Sequence, residues 1–182
     1  MRVITGSARG RTLESPAHWN VRPTSSKVKE SIFSIVQFEV EGAQVLDLFA
    51  GTGQMGIEAL SRGARECVFV ENSRDSLGVL RKNLEATGPW KNASLSAADA
   101  LAFLRGLRGE SFDIAFLDPP YGAGLLAQCL ELLAGKISPG GVVLCEADEQ
   151  AALPEQFPPL ALKKCYKHGK TRVFHYRVSD DS

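Results

Sequence analysis

The chain has 182 residues, of which 44% are hydrophobic and 23% charged, and its formal net charge is zero. These values match one ordinary domain that can bury a hydrophobic core. The sequence also excludes a membrane-spanning helix, because no apolar run approaches the roughly 20 residues needed to cross a bilayer. The first residues show no apolar signal-peptide region, so we expect a cytoplasmic protein. The four cysteines have no C-x-x-C spacing, which favours reduced thiols over a disulfide or a metal site.

Two candidate elements precede the main pattern. Residues 2–5 and 11–13 flank a glycine-containing turn and indicate a small hairpin, and residues 25–38 show the apolar spacing of a helix. Residues 1–30 hold six Lys or Arg and two Glu, a local net charge of +4. We interpret residues 1–40 as a basic N-terminal appendage and residues 41–182 as the main domain. The charge favours an anionic partner, although a solvated charged rim explains it equally well.

Strand-like and helix-like segments alternate from about residue 44 onward. The predicted elements are strands over 44–49, 66–70, 93–97, 112–117 and 142–145, and helices over 55–62, 73–87 and 125–133. This alternation predicts an α/β fold, with a mostly parallel sheet and helices on both faces. Strands over 160–166 and 171–178 follow, joined by Lys167-His168-Gly169-Lys170, and predict an antiparallel hairpin at the end of the sheet. Residues 163–177 hold six basic residues and no acid.

A glycine turn follows the first of these strands. Gly51, Gly53 and Gly56 satisfy the G-x-G-x-x-G pattern of dinucleotide-binding folds, and Glu71 ends the next strand, where a carboxylate can accept bonds from ribose hydroxyls. A nicotinamide-dependent oxidoreductase is therefore one alternative. Asp47 argues against it, because a carboxylate beside the turn would repel a pyrophosphate. S-adenosylmethionine carries an ammonium and a sulfonium instead of phosphates, and we predict it as the cofactor.

Asp99 follows the third predicted strand, at the same expected edge of the sheet. There its carboxylate can accept a bond from the adenine amino group of the cofactor. A lone Asp in this position is also a common N-cap of the following helix, and both interpretations remain open.

The segment after the fourth predicted strand suggests the chemistry. It reads Asp118-Pro119-Pro120-Tyr121, and the prolines fix the backbone while leaving carbonyl groups as acceptors. Asp118 and the Pro119 carbonyl can grip the two N–H bonds of an exocyclic amine and aim its lone pair at a methyl group. Tyr121 offers a face on which a base can stack. These residues predict methyl transfer to an amino group on a nucleobase.

The sequence resembles the bacterial 16S ribosomal RNA guanine-N2 methyltransferase family (RsmD-type) over nearly the whole chain. The matching segments are Asp118–Tyr121, Arg9-Gly10-Arg11, Arg22-Pro23-Thr24, Val28-Lys29-Glu30, residues 45–53 and residues 56–64. This resemblance implies a class I, Rossmann-like methyltransferase that uses S-adenosylmethionine to methylate N2 of a guanine in 16S rRNA, in free RNA or in the small ribosomal subunit. It implies cofactor contacts from Asp47, Gly51, Gly53 and Glu71, and guanine contacts from Asp118, Pro119 and Tyr121.

The resemblance has one departure and leaves two alternatives. Ser26-Lys27 stand where the family usually has an Asp-Arg pair, so the basic charge is kept and the acid is lost. We expect Arg9, Arg11 and Arg22 to bind RNA phosphates, and we expect no metal or membrane partner. The basic C-terminal hairpin, whose Tyr166–Thr171 segment matches the family more loosely, is the alternative RNA-contacting surface. A DNA amino-methyltransferase is one alternative, although such enzymes usually carry a separate recognition domain. A cofactor-binding assembly protein without catalysis is the other.

Overall fold

An eight-stranded sheet lies at the centre of the computed structural model, which describes residues 1–16, 25–88, 90–109, 111–120 and 123–179. The strands are β1 Gln44–Asp47, β2 Glu66–Val70, β3 Ala93–Ser96, β4 Phe112–Leu117, β5 Ile137–Asp148, β6 Gln156–Phe157, β7 Leu160–His168 and β8 Thr171–Val178. The helices are α1 Ser26–Ile35, α2 Gln54–Ser61, α3 Arg74–Thr87, α4 Ala100–Gly106 and α5 Ala123–Leu133, with a short 3-10 helix at Ala134–Lys136.

The strand order is β3-β2-β1-β4-β5-β8-β7-β6. The first five strands in this order are parallel, and the β5–β8, β8–β7 and β7–β6 pairs are antiparallel. The predicted mostly parallel sheet with an antiparallel end is thus confirmed. All five parallel strands end at one edge of the sheet, which we call the carboxyl edge. Thr171 pairs with Asp148 at the end of β5, so the turn between β7 and β8 also lies at this edge.

Three local expectations differ from the structure. The helix α4 was expected only through the alternative that Asp99 caps a helix, and the two-residue strand β6 was not predicted, because both are too short to show a clear periodicity. The predicted N-terminal hairpin is short: one antiparallel bridge joins Arg2 and Thr12, and the Gly10 N–H donates to the Val3 carbonyl at 2.9 Å. The N–H groups of Ile4 and Thr5 donate instead to the carboxylate of Glu58 at 2.8 and 2.9 Å.

Glu58 lies in α2 with no exposed surface and connects the N-terminal segment to the rest of the fold. Besides the two backbone bonds, it pairs with Lys29 Nζ at 3.2 Å and with Arg62 Nε at 2.9 Å. Lys29 also donates to the Arg2 carbonyl at 2.8 Å. A buried carboxylate is tolerated because these cations and donors replace its lost hydration.

The two faces of the sheet carry separate hydrophobic clusters. The N-terminal segment, α1, α2 and α3 cover one face, and Val3, Leu13 and Phe33 are buried in its cluster together with residues of β1 and β4. The helices α4 and α5 cover the other face. The expected boundary between an appendage and a main domain at residue 40 stays a prediction. No helix among the described residues is long and apolar enough to cross a membrane.

Candidate functional site at the carboxyl edge

The glycine turn between β1 and α2 is stabilised by Asp47, the last residue of β1. Asp47 Oδ2 accepts a bond from the Gly56 N–H at 2.9 Å in the first turn of α2. Gly51 and Gly53 adopt positive φ angles of 55° and 82°. A Cβ on Gly53 would lie 2.1 Å from Leu80 Cδ1, so this glycine is required by packing as well as by its backbone conformation.

Glu71 ties the turn to the next loop. One carboxylate oxygen accepts from the Gly51 N–H at 2.8 Å and the other accepts from the Ser73 N–H at 2.8 Å. A carboxylate offers about four acceptor positions, so these two bonds leave capacity for a ligand hydroxyl. Glu71 therefore has a structural role in addition to the cofactor contact predicted for it.

The electrostatics of the turn are dominated by carboxylates. Asp47 is only 3% exposed, and its pKa is raised to about 7, mainly by burial and also by the negative charges of Asp118 and Glu71. The hydrogen bond from Gly56 opposes this rise. Three acids thus act on one another at this edge, and a cationic ligand would stabilise the ionised form of Asp47.

Asp99 is exposed and caps α4. Its side chain accepts a bond from the Ala102 N–H at 3.0 Å, so the N-cap alternative describes its contact in this structure. A bond from Asp99 to an adenine amino group stays a prediction.

Asp118, Pro119 and Pro120 follow β4 and line a cavity of about 290 Å³. The rest of the lining is Leu126, Glu146, Ala147, Asp148, Lys170 and Thr171. Asp118 is exposed, and its charge contributes to the raised pKa of Asp47. The Asp-Pro-Pro segment therefore lies beside the glycine turn, as its position after β4 predicted. Tyr121, predicted to stack on a base, lies outside the described residues.

Four of the polar residues in this cavity were not identified as site residues from the sequence: Glu146, Asp148, Lys170 and Thr171. They come together because β8 returns antiparallel beside β5, with Asp148 opposite Thr171. The predicted hairpin was the only available signal, since a strand that follows β5 in antiparallel register begins at the carboxyl edge. Among the described residues there is no group of three or more side chains suited to hold a metal ion.

The predicted RNA-binding arginines lie elsewhere. Arg9 and Arg11 are exposed, and their turn contacts α2 at Ser61, whose carbonyl accepts from the Ser7 N–H at 2.8 Å. Ser61 ends α2 on the side where β2 begins, so this turn lies toward the amino edge of the sheet. Arg22 lies outside the described residues.

The parallel sheet, the glycine turn and the Asp-Pro-Pro segment define a Rossmann-like methyltransferase. Solved structures with this fold include SMU.776, provisionally named a methyltransferase and complexed with SAH, at a TM-score of 0.66 and 16% identity over 77% of this chain and 46% of that chain. At this identity the likeness concerns the fold alone. The chain belongs to the family described as conserved hypothetical protein 95, which matches residues 1–177.

Relatives named as ribosomal RNA methyltransferases confirm the resemblance to the RsmD-type family. The Bacillus subtilis protein YlbH, provisionally named an rRNA methyltransferase, is 38% identical over 97% of this chain and 98% of its own length. The ribosomal RNA small subunit methyltransferase D of Escherichia coli is 36% identical over 85% of this chain and 78% of its own. The structure of Escherichia coli yhhF, provisionally named a methyltransferase, superposes with a TM-score of 0.88 at 31% identity, covering 99% of this chain and 98% of that one.

Proposed function

We propose that this chain transfers a methyl group from S-adenosylmethionine to the exocyclic N2 amine of a guanine in 16S ribosomal RNA. The observation that supports this most strongly is that β1 and β4 are neighbours, so that Asp118 follows β4 close enough to Asp47 for their charges to interact. Relatives of the family carry the name of small-subunit rRNA methyltransferases, which points to the same substrate. The substrate is free 16S rRNA or the small ribosomal subunit, and the reaction takes place in the cytoplasm.

The residues of the turn suit this cofactor. Asp47 is a buried carboxylate with the negative charges of Asp118 and Glu71 nearby, which favours a cationic ligand, and Glu71 would accept bonds from ribose hydroxyls. The positive φ angles of Gly51 and Gly53 form a tight turn whose backbone would face the ligand. Asp99 would accept a bond from the adenine amino group. When bound, S-adenosylmethionine supplies an electrophilic methyl group on a sulfonium.

The acceptor side depends on the Asp-Pro-Pro segment. The lone pair of a guanine N2 amine is delocalised into the ring, which makes it a weak nucleophile. The Asp118 carboxylate and the Pro119 carbonyl would each accept one of its N–H bonds and so fix the direction of the lone pair. The carboxylate also stabilises positive charge that develops on the nitrogen. Pro120 keeps the segment rigid, and Tyr121 would stack on the base.

The base must leave its stack to reach Asp118, so the surrounding RNA backbone has to be held outside the cavity. Arg9, Arg11 and Arg22 are proposed for this purpose. The exposed Arg9 and Arg11 lie toward the amino edge, so they would contact RNA at a distance from the target base.

A methyl-transfer assay tests the proposal. The protein and radiolabelled S-adenosylmethionine are incubated separately with 16S rRNA, small ribosomal subunits and duplex DNA, and modified nucleosides are identified by mass spectrometry. We expect N2-methylguanosine from an RNA substrate and none from DNA. Label in DNA would favour the DNA-methyltransferase alternative. Cofactor binding without transfer to any of the substrates would favour the assembly protein.

A further inference from the structure

The hairpin formed by β7 and β8 is strongly basic, with six Lys or Arg and no acid between residues 160 and 178. Two of these cations are used within the fold: Arg172 donates to the Ala151 carbonyl, and Arg177 pairs with Glu39 at 2.8 Å. The other four are exposed lysines, which we call the lysine strip: Lys163, Lys164, Lys167 and Lys170. None of them takes part in the ion pairs found among the described residues.

The lysine strip begins at the cavity lined by Asp118, Pro119 and Pro120, which we call the acceptor cavity. Lys170 and Thr171 line this cavity together with Asp118, and the turn that carries Lys170 is anchored to α1 by a 3.0 Å hydrogen bond between Ser31 Oγ and His168 Nε2. From this turn the strip follows β7 for five residues, from His168 back to Lys163. At the rise of an extended strand this distance is about 17 Å, long enough to face several backbone phosphates. Lys164 and Lys167 lie on opposite faces of β7, so the strip runs along the edge of this strand, where β6 pairs only with Leu160 and Ala161.

Part of the strip is held in position by packing. Lys164 Nζ lies 4.9 Å from the centre of the Tyr166 ring, and Tyr166 packs against the hydrophobic cluster beneath α1. A cation that is positioned before binding loses less side-chain entropy when it meets a phosphate. Lysines on strands near a sheet edge also prevent aggregation, but Lys170 lies in the turn, where there is no strand edge to protect.

We propose that the lysine strip binds the phosphates of the RNA backbone next to the target guanine, with Lys170 at the phosphate nearest the acceptor cavity. This inference rests on the proposed function, because it names how that same site holds its RNA. The charge is complementary to a polyanion, and the strip is continuous with the cavity that contains Asp118. Phosphate contacts of this kind supply affinity and register, while the cavity selects the base.

The test compares two variants that lose the same charge. One has Lys163, Lys164, Lys167 and Lys170 changed to Gln, and the control has Arg81, Lys82, Arg105 and Arg108 changed to Gln on the exposed surfaces of α3 and of the α4 region. The Kd for small ribosomal subunits, taken from an Escherichia coli strain without its methyltransferase D, is measured across a salt series. Circular dichroism and the Kd for S-adenosylmethionine confirm that both variants are folded.

We expect the slope of log Kd against log salt concentration to fall by about 0.7 for each phosphate contact removed. In the lysine-strip variant the slope should fall by up to about 3. The control should keep the wild-type slope. A wild-type slope in the lysine-strip variant, with or without aggregation, would overturn the inference, and so would equal losses in both variants. The proposed function fails separately, if the wild-type protein binds subunits but methylates none of them.

Discussion

The buried carboxyl group of Asp47 predicts that cofactor affinity depends on pH in an unusual range. Burial raises its pKa to about 7 in the unliganded protein, whereas an exposed aspartate ionises near pH 4. A ligand that carries an ammonium and a sulfonium binds the ionised form better. Binding is therefore coupled to loss of a proton from Asp47, and affinity should rise as the pH increases toward 7.

The size of the effect follows from the ionised fraction. At pH 6, one unit below a pKa of 7, only about a tenth of Asp47 is ionised. The Kd at pH 6 should therefore be about tenfold higher than the plateau value reached at high pH. This factor corresponds to about 1.4 kcal/mol. The amino group of the ligand has an ordinary pKa near 7.7–8.0, so it stays protonated over most of this range. The rise in affinity should therefore be seen between about pH 5.5 and 7.5.

Isothermal titration calorimetry with S-adenosylmethionine over this range provides the measurement. Asp47→Asn is the matched control, since its amide oxygen can still accept the Gly56 N–H bond that holds the turn. We expect weaker binding at pH 7.5 in the variant and no pH dependence near 7. A wild-type Kd that is constant from pH 6 to 7.5, or the same slope in both proteins, would refute the reasoning.

Four further predictions follow from single contacts. Asp118→Ala should lower kcat by about 10²–10³-fold with little change in cofactor Kd, and near-normal turnover would contradict its proposed role. Glu71→Ala should weaken cofactor binding by about 1.5–3 kcal/mol by calorimetry, and Glu71→Gln by less, because Gln keeps an acceptor for the Gly51 N–H. Glu58→Gln should cost about 3–5 kcal/mol in urea denaturation by leaving Lys29 buried without its counter-charge, and an unchanged midpoint would argue against a structural ion pair. Gly56→Ala should cost about 1–3 kcal/mol in urea denaturation because its Cβ would lie 2.2 Å from Phe69, and an unchanged stability would show that this contact does not require glycine.

Most of the fold could be predicted from the sequence because its signals are local. Apolar strands, capped helices and the glycine turn each appear within about fifteen residues, and their alternation indicates a parallel sheet. The positions of Asp47 and Asp118 at the carboxyl edge follow from the same pattern, since the ends of neighbouring parallel strands meet there. The predicted bounds of β2, β4 and β8 agree with the observed strands.

The burial of Glu58 and the lining of the acceptor cavity could not be predicted, because both depend on contacts between distant segments. Glu58 and Arg62 have the i, i+4 spacing of an exposed helical ion pair, yet Glu58 is fully buried because the N-terminal segment covers it. The acceptor cavity likewise needs the register of β5 against β8, which brings Lys170 and Glu146 into the lining of one cavity. Neither arrangement has a signal within one stretch of sequence.

The bonds between the N-terminal segment and the helices have a consequence for synthesis. Ile4 and Thr5 bond to Glu58 across 54 and 53 residues, and the Glu14 N–H bonds to Asn83 Oδ1 across 69 residues. At about 5–20 residues per second, ribosomes need several seconds to make the chain between these partners. Residues 1–16 therefore leave the ribosome well before the helices that hold them, and Val3 and Leu13 have no hydrophobic cluster to enter during that interval. A ribosome stalled before Asn83 would display this segment undocked, open to proteases and chaperones.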